Sequence, residues 1–438
     1  MDIKTIAENA RKASIRLASV QGRVKNQALA DIARMLRRKK DVISRANRAD
    51  VERAGQENCA GPLLKRLRFT EDKIEEACRG LESLIQLDDP VGVTLSATEL
   101  DDGLDLYKVS CPIGVIGVVF ESRPDALVQI SCLCLKSGNA VLLKGGSEAG
   151  ATNRVLADII ARAGEKAGIP KGWLGLLETR AHVRDILRLD DDIDLLIPRG
   201  GNAFVRHIMD NTRIPVLGHA DGICHLYVDR KADIGMALKI AVDGKCQYVA
   251  VCNALETILV HRDIAGDLLP ELKAEFDAKN VEIRGCDRTM RIIEVKPATK
   301  QDWKTEYLDL IVSVRVVAGI DEAMDHINHY GSGHTDVIVT GDRDRAVRFM
   351  DHVDSANVFM NCSSRFADGF RFGLGAEVGI STNKIHARGP VGLEGLVIYK
   401  WRMLGNGHVV ADYTGQNAKS FTHRKLSNGF ERKRAGGK

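Results

Sequence analysis

The chain of 438 residues contains no long hydrophobic run; its longest, Pro112 to Phe120, is far short of the roughly 20 residues that a bilayer span requires. Asp2, Lys4, Glu8 and Arg11 interrupt the apolar positions of the first twenty residues, so no secretory h-region is read there. The sequence therefore predicts no membrane association and a reducing, cytoplasmic setting. A charge excess is missing as well. Sixty-three Lys and Arg against 59 Asp and Glu leave a net charge of +4, which gives no reason to expect a nucleic-acid partner. No CxxC pair occurs among the ten cysteines, so a four-cysteine zinc site is not expected and the thiols are read as free. Internal repeats, a GxGxxG fingerprint and an HExxH frame are all absent.

What remains is an ordinary globular composition, 44% hydrophobic and 28% charged, long enough for two or three domains at about 150 residues each. Apolar residues at helical spacing (Ile3, Ile6, Ala7, Ala10; Leu29, Ile32, Ala33, Leu36; Ile74, Ala77, Cys78, Leu81) predict helices through the first ninety residues, stopped at Asp88-Asp89-Pro90. The basic run Arg37 to Lys40 reads as a solvated helix face. From Ile113 the period changes. Short β-branched or apolar runs (113–120, 140–143, 195–198) alternate with helices beginning at Pro124, Glu148 and Phe204. A second series follows, with strands near 224–228, 256–260, 311–317, 337–340 and 358–360. Strands alternating with helices imply parallel sheets, hence two open α/β domains in tandem.

Local pattern leaves the chemistry open. Lys144-Gly145-Gly146-Ser147 and Arg199-Gly200-Gly201 lie between strand and helix, where backbone N–H groups favour phosphate, yet strand-end glycines occur in any α/β sheet. Cys252, in Val251-Cys252-Asn253-Ala254, sits at a helix-to-strand junction and on local grounds reads first as a buried small hydrophobe, with a functional thiol the sharper alternative. His326, His329 and His334 suggest a metal by spacing, but without an acidic ligand they read as solvated or capping residues, and no metal site is expected.

Longer stretches carry more. Pro112-Ile-Gly-Val-Ile-Gly117 with Glu121-Ser-Arg-Pro124, Cys134-Leu-Lys-Ser-Gly-Asn-Ala-Val-Leu-Leu-Lys-Gly-Gly146 and Leu196-Ile-Pro-Arg-Gly-Gly201 resemble the γ-glutamyl phosphate reductases, a branch of the aldehyde dehydrogenase superfamily. The likeness continues through Cys252-Asn253, Asn361 with Ser364-Arg-Phe366, and Gly373-Leu-Gly-Ala-Glu-Val378. It is most specific in Ser381-Thr-Asn-Lys-Ile-His-Ala-Arg-Gly-Pro390, Gly392-Leu-Glu394 and Tyr399-Lys-Trp401. It covers roughly residues 1 to 403.

The resemblance implies an aldehyde dehydrogenase-like α/β fold: two Rossmann-type open-sheet domains and a small β oligomerisation region. It implies a cofactor domain over 1–222, interrupted by oligomerisation strands near 97–109, a catalytic domain over 223–390 and a closing oligomerisation segment over 391–405. The basic tail, 406–438, has no counterpart; its seven Lys or Arg among many small polar residues predict disorder. By the same likeness Cys252 is the catalytic nucleophile. Lys144, Ser147, Gly200, Gly201 and Glu306 bind the cofactor. Asn253, Arg123, Arg365 and Arg388 are candidates for substrate, since a guanidinium fork suits phosphate and carboxylate. A neutral Ser147, where relatives that prefer NAD often carry glutamate, favours NADPH, with Glu148 next door opposing it. The substrate implied is L-glutamyl 5-phosphate, the expected state a homodimer or homotetramer, and a functional partner a separate glutamate 5-kinase. The superfamily's general-base glutamate falls at about Gly218, which suits a reductase that must spare its thioester from water; His219 and Asp221 remain alternative bases. Ser122 stands where the superfamily has its oxyanion-hole asparagine.

Overall fold

The computed structural model describes residues 2–430 apart from 58, 60, 122, 179–180, 220 and 428, with the backbone alone at 61–63 and 181–183. It divides into two compact units, Met1–Gly200 with Ile208–Val216 and Gly392–Lys438, and Gly201–His207 with Leu217–Val391. The junction thus falls at 216/217, with a short excursion at 201–207, where the sequence suggests 222/223.

The first unit opens with helices Ile3–Leu17, Gly22–Arg38, Lys40–Gln56, Gly61–Leu67 and Glu71–Gln86. Their buried stripes hold the residues chosen by periodicity, among them Leu29, Ile32, Leu36, Cys78 and Leu81. The basic run is more than a solvated face. Arg37 donates to Glu75 at 2.7 Å and Glu82 at 2.6 Å, and Lys40 to Glu71 at 3.0 Å, tying the helices Gly22–Arg38 and Lys40–Gln56 to Glu71–Gln86 across their surface. Such exposed pairs contribute only about 0.2–1 kcal/mol each.

Four strands then form a parallel sheet: β1 Val115–Phe120, β2 Ala140–Lys144, β3 Leu174–Leu176 and β4 Leu195–Arg199, in the order β3-β2-β1-β4. β1 is buried at every position, as expected of a strand covered on both faces. Pro124 opens the helix Pro124–Lys136, where its fixed φ suits a first turn. An antiparallel sheet completes the unit, running Val397–Leu404, Leu104–Pro112, Thr94–Asp101, Arg424–Lys425.

The last of those strands corrects the reading of the tail. Residues 406–427, 429 and 430 follow a defined path. Leu426 and Phe430 pack on Ala97, Tyr107 and Val109, and Arg424 pairs with Glu99 at 2.6 Å. Composition missed this because two apolar residues in a polar stretch suffice when a sheet face awaits them.

The second unit is built on a seven-stranded sheet: β5 Cys224–Val228, β6 Leu255–His261, β7 Glu282–Gly285, β8 Lys296–Pro297, β9 Ile311–Val317, β10 Thr335–Val339 and β11 Asn357–Met360. All neighbours are parallel, in the order β8-β7-β9-β6-β5-β10-β11. Successive side chains alternate faces. Leu226, Val228, Ile258 and Val260 join one core with helices Ile234–Cys246 and Ala265–Asp277. Tyr227, Leu259 and Ile338 join another with Ile320–Tyr330 and Arg343–His352. Strands β3, β7 and β8 have no counterpart in the sequence reading; each is too short, at two to four residues, for a period to register.

No helix among the described residues is long and apolar enough to cross a membrane. All ten cysteines are free.

Candidate active site

In the second unit the helix Ile234–Cys246 and strand β6 are joined by a short turn, and Cys252 stands on it, half-buried. Its backbone is pressed against Gly222. A Cβ at residue 222 would lie 2.2 Å from the Cys252 carbonyl oxygen and 2.5 Å from its Cα, so only glycine lets the two segments touch. The buried Cys224 thiol donates to the same carbonyl at 3.2 Å, and burial raises the Cys224 pKa well above the usual thiol range.

Two imidazoles meet the Cys252 thiol. One ligand atom each of His219, Cys252 and His334 lies within 4.8 Å of the other two. The histidine rings stand edge to face, with centroids 5.0 Å apart. His219 Nδ1 is 2.8 Å from the Ile380 carbonyl, which can only accept; in the neutral ring Nδ1 therefore carries the proton and Nε2 the lone pair. His334 is fully buried at the start of β10, with Nδ1 2.8 Å from the Thr335 hydroxyl and Nε2 buried without a partner. His334 is thus not the solvated or capping residue that the sequence suggests. His326 is also buried, on the inner face of its helix. Burial above all, then His225 and Arg315, pushes its pKa down to about 2, so it is neutral. Of the three only His329 is exposed.

Arg365 lies in the same neighbourhood. It is 8% exposed, its Nε donates to the Gln247 side chain at 3.0 Å, and its Nη1 is buried with no partner. Burial and Arg371 lower its pKa while the Cys252 charge opposes them, which marks the guanidinium as a neighbour of that thiol. A buried, incompletely satisfied guanidinium is rare unless an anion completes it. Asn253 is turned into the fold: its Nδ2 donates to the Ala367 carbonyl at 2.9 Å, and its own carbonyl accepts from Ser364 Oγ at 2.7 Å. Arg388 is spread over Asp354, at 3.0 Å, and the Thr382 carbonyl, at 3.3 Å, so it braces two loops. Arg123 belongs to the first unit and is exposed. Ser122 lies outside the described residues.

Glu306 accepts from Asn202 Nδ2 at 2.6 Å, and burial raises its pKa while that hydrogen bond and the Gly222 N–H oppose the rise. Asn202 also donates to Asp221 at 3.0 Å, and Asp221 pairs with Arg206. Asp221 is therefore engaged in an ion pair, whereas His219 faces the thiol. Beneath them Lys245 and Glu256 form a fully buried ion pair at 2.6 Å, with burial pushing Glu256 up to about 7.

In the first unit the order β3-β2-β1-β4 has its switch point between β1 and β4, where open α/β sheets take nucleotides at the carboxyl ends of their strands. Lys144 closes β2, almost fully buried, its ammonium on the Gly145 carbonyl. Gly145 has no room for a side chain: a Cβ there would meet Asn153 Nδ2 at 2.2 Å. Asn153 Oδ1 is buried without a partner. Ser147 is exposed at the first turn after β2. Arg53, which the sequence reading missed, reaches the Ser147 and Glu148 carbonyls at 3.3 Å from a helix nearly a hundred residues earlier. Gly200 and Gly201 follow β4, and the Gly201 carbonyl accepts from Phe204 and Val205 as the next helix begins.

The aldehyde dehydrogenase family matches residues 1–292, and the chain belongs to that family. Enzymes of this family use NAD(P). The γ-glutamyl phosphate reductase of Pelotomaculum thermopropionicum is 66% identical over 430 residues, covering 98% of this chain and 99% of the relative. That of Methanosarcina mazei is 52% identical over 441 residues, covering 98% and 99%. The crystal structure of the Thermotoga maritima γ-glutamyl phosphate reductase superposes with a TM-score of 0.91 at 40% identity, covering 93% of this chain and all of the other. Within the aldehyde dehydrogenases the chain thus groups with the γ-glutamyl phosphate reductases, and it is an oxidoreductase. An engineered glycolyl-CoA reductase with bound NADP⁺, 16% identical with a TM-score of 0.61, shares the fold.

Proposed function

We propose that this enzyme reduces L-glutamyl 5-phosphate to L-glutamate 5-semialdehyde and phosphate with NADPH, through a thioester on Cys252. The observation that carries the reading is the half-buried Cys252 thiol, set among His219, His334 and the incompletely satisfied guanidinium of Arg365.

His219, its Nδ1 proton committed to Ile380, takes the Cys252 proton on Nε2. The thiolate adds to the γ-carbonyl, the C–O bond to phosphate breaks as the departing oxygen takes the proton held on His219 Nε2, and Arg365 receives the resulting HPO₄²⁻ on its open Nη1. Backbone N–H groups around Cys252 stabilise the developing oxyanion. NADPH, when bound, supplies the hydride that reduces the thioester. A proton from solvent, passed through His219, reaches the sulfur as the thiohemiacetal anion collapses and the thiol leaves. The aldehyde then closes on its own amine to pyrroline-5-carboxylate, a precursor of proline.

The first unit's residues fit the cofactor. Lys144 and the Gly145–Gly146 turn suit its adenosine ribose and diphosphate, with Asn153 Oδ1 an acceptor in want of a donor. Ser147 adds no negative charge beside the turn, which favours a 2′-phosphate and hence NADPH, while Arg53 at the same turn is paired with Asp50 at 2.6 Å. Glu306, held by Asn202 and half-protected from water, is the group for the nicotinamide ribose.

The test is the reverse reaction: NADP⁺ reduction by glutamate semialdehyde and inorganic phosphate, with Cys252→Ala beside the wild type. Phosphate-dependent turnover that disappears in the variant is expected. Turnover without phosphate would remove the acyl phosphate from the scheme, and an active variant would remove the thioester.

A further inference from the structure

The trio of His219, Cys252 and His334 has the composition of a metal site, although no metal is expected from the sequence. Two imidazoles and a thiol are borderline-soft ligands that suit zinc, and three protein ligands with a water in the fourth position is a common zinc arrangement. At zinc bond lengths of roughly 2.0–2.3 Å, tetrahedral ligand atoms lie about 3.3–3.6 Å apart. The three candidate atoms already lie within 4.8 Å of one another. Zinc bonding would require these separations to shorten by at most about 1.5 Å.

The surroundings supply what such ligands need. The Ile380 carbonyl holds His219 Nδ1 at 2.8 Å, orienting the ring and raising the basicity of Nε2. The Thr335 hydroxyl lies 2.8 Å from His334 Nδ1 and orients that ring, and His334 Nε2 is a buried polar atom with no partner among the described residues. The Cys224 thiol donates to the Cys252 carbonyl at 3.2 Å and lies 3.8 Å from His334 Nδ1, so it borders the trio without belonging to it.

We infer that this enzyme reversibly captures a Zn²⁺-like divalent cation on Cys252, His219 and His334. Binding transfers the Cys252 proton to solvent, forms one S–Zn and two N–Zn bonds and changes no oxidation state. The captured thiolate is withdrawn from acylation and shielded from oxidation. The inference rests on the geometry of the three ligands and not on the identity of the substrate, and binding is read without turnover.

The test titrates the purified full-length protein with Zn²⁺ against a chromophoric zinc indicator and counts reactive thiols before and after. One Zn²⁺ per chain is expected, with one thiol protected, and Co²⁺ in its place should give a thiolate-to-cobalt absorption. His334→Asn and His219→Asn should each weaken Zn²⁺ binding at least tenfold, and Cys252→Ala should abolish the cobalt band. Cys246→Ser, outside the trio, should bind as the wild type does. Should His334→Asn fail to fold by circular dichroism, His219→Asn on its loop carries the comparison. Zn²⁺ binding that is indifferent to both histidines, that follows Cys246, or that leaves Cys252 reactive would overturn the inference.

Discussion

Arg365 shows how a single side chain acquires a role from its burial. Arginine is ordinarily a surface residue, and here it is 8% exposed with one nitrogen unsatisfied. An anion that completed its hydrogen bonds would remove that penalty, which is the part proposed for the substrate's phosphate. Arg365→Met should lower kcat/KM in the reverse assay by roughly 10- to 100-fold, mainly through KM for phosphate, as expected for one charged hydrogen bond. Steady-state kinetics over a phosphate series measure it; an unchanged KM would return Arg365 to a purely structural part. Arg388, also read from sequence as a substrate group, is a different case, because Asp354 and the Thr382 carbonyl already use its fork.

At the level of the element, the helix Ile320–Tyr330 carries a titratable group inward. His326 packs between Trp303, Tyr330 and His225, and Arg315 donates to its Nδ1 at 3.1 Å. Its pKa falls from the usual 6.5 to about 2, chiefly through burial. Between those values the unfolded chain binds a proton that the folded chain does not, so stability declines as pH falls below 6.5, by at most about 1.4 kcal/mol per unit. Urea unfolding at pH 7.5 and 5.5 should show the wild type losing about 1.4 kcal/mol more than His326→Gln over that interval. Equal losses would mean that other groups set the acid limb. The helix itself was visible in the sequence, but which of its histidines faced inward was not, since the sheet against which it packs decides the buried stripe.

For the whole molecule, the strand Val397–Leu404 forms an edge of the antiparallel sheet and exposes Tyr399, Trp401 and Met403 on one face. Lys108 lies over the Tyr399 ring at 3.7 Å, but Trp401 remains 57% exposed and Met403 55%. An uncovered edge with aromatic and aliphatic side chains invites pairing with another copy of the chain. Sedimentation velocity should find the wild type as a dimer or tetramer and the pair Trp401→Lys with Met403→Lys as a smaller species. A wild type that sediments as a monomer would dismiss that role for the strand.

The α/β class, the alternation of strands and helices and the position of Cys252 at a helix-to-strand junction were all written in local pattern, because hydrophobic period and turn residues act over neighbouring positions. The family likeness followed from long stretches of residues rather than from period. Contacts between distant segments were decided by folding alone. Gly222 meets Cys252 and His334 joins His219 because parallel strands far apart in the chain end side by side, bringing their loops to one edge of a sheet. Leu426 and Phe430 find Tyr107 because a strand far along the chain joins the antiparallel sheet. Arg53 reaches the turn after β2 because a helix packs there. A sequence read in order registers spacing along the chain; which loops share a strand end is settled by sheet order, and that depends on the burial of every strand at once.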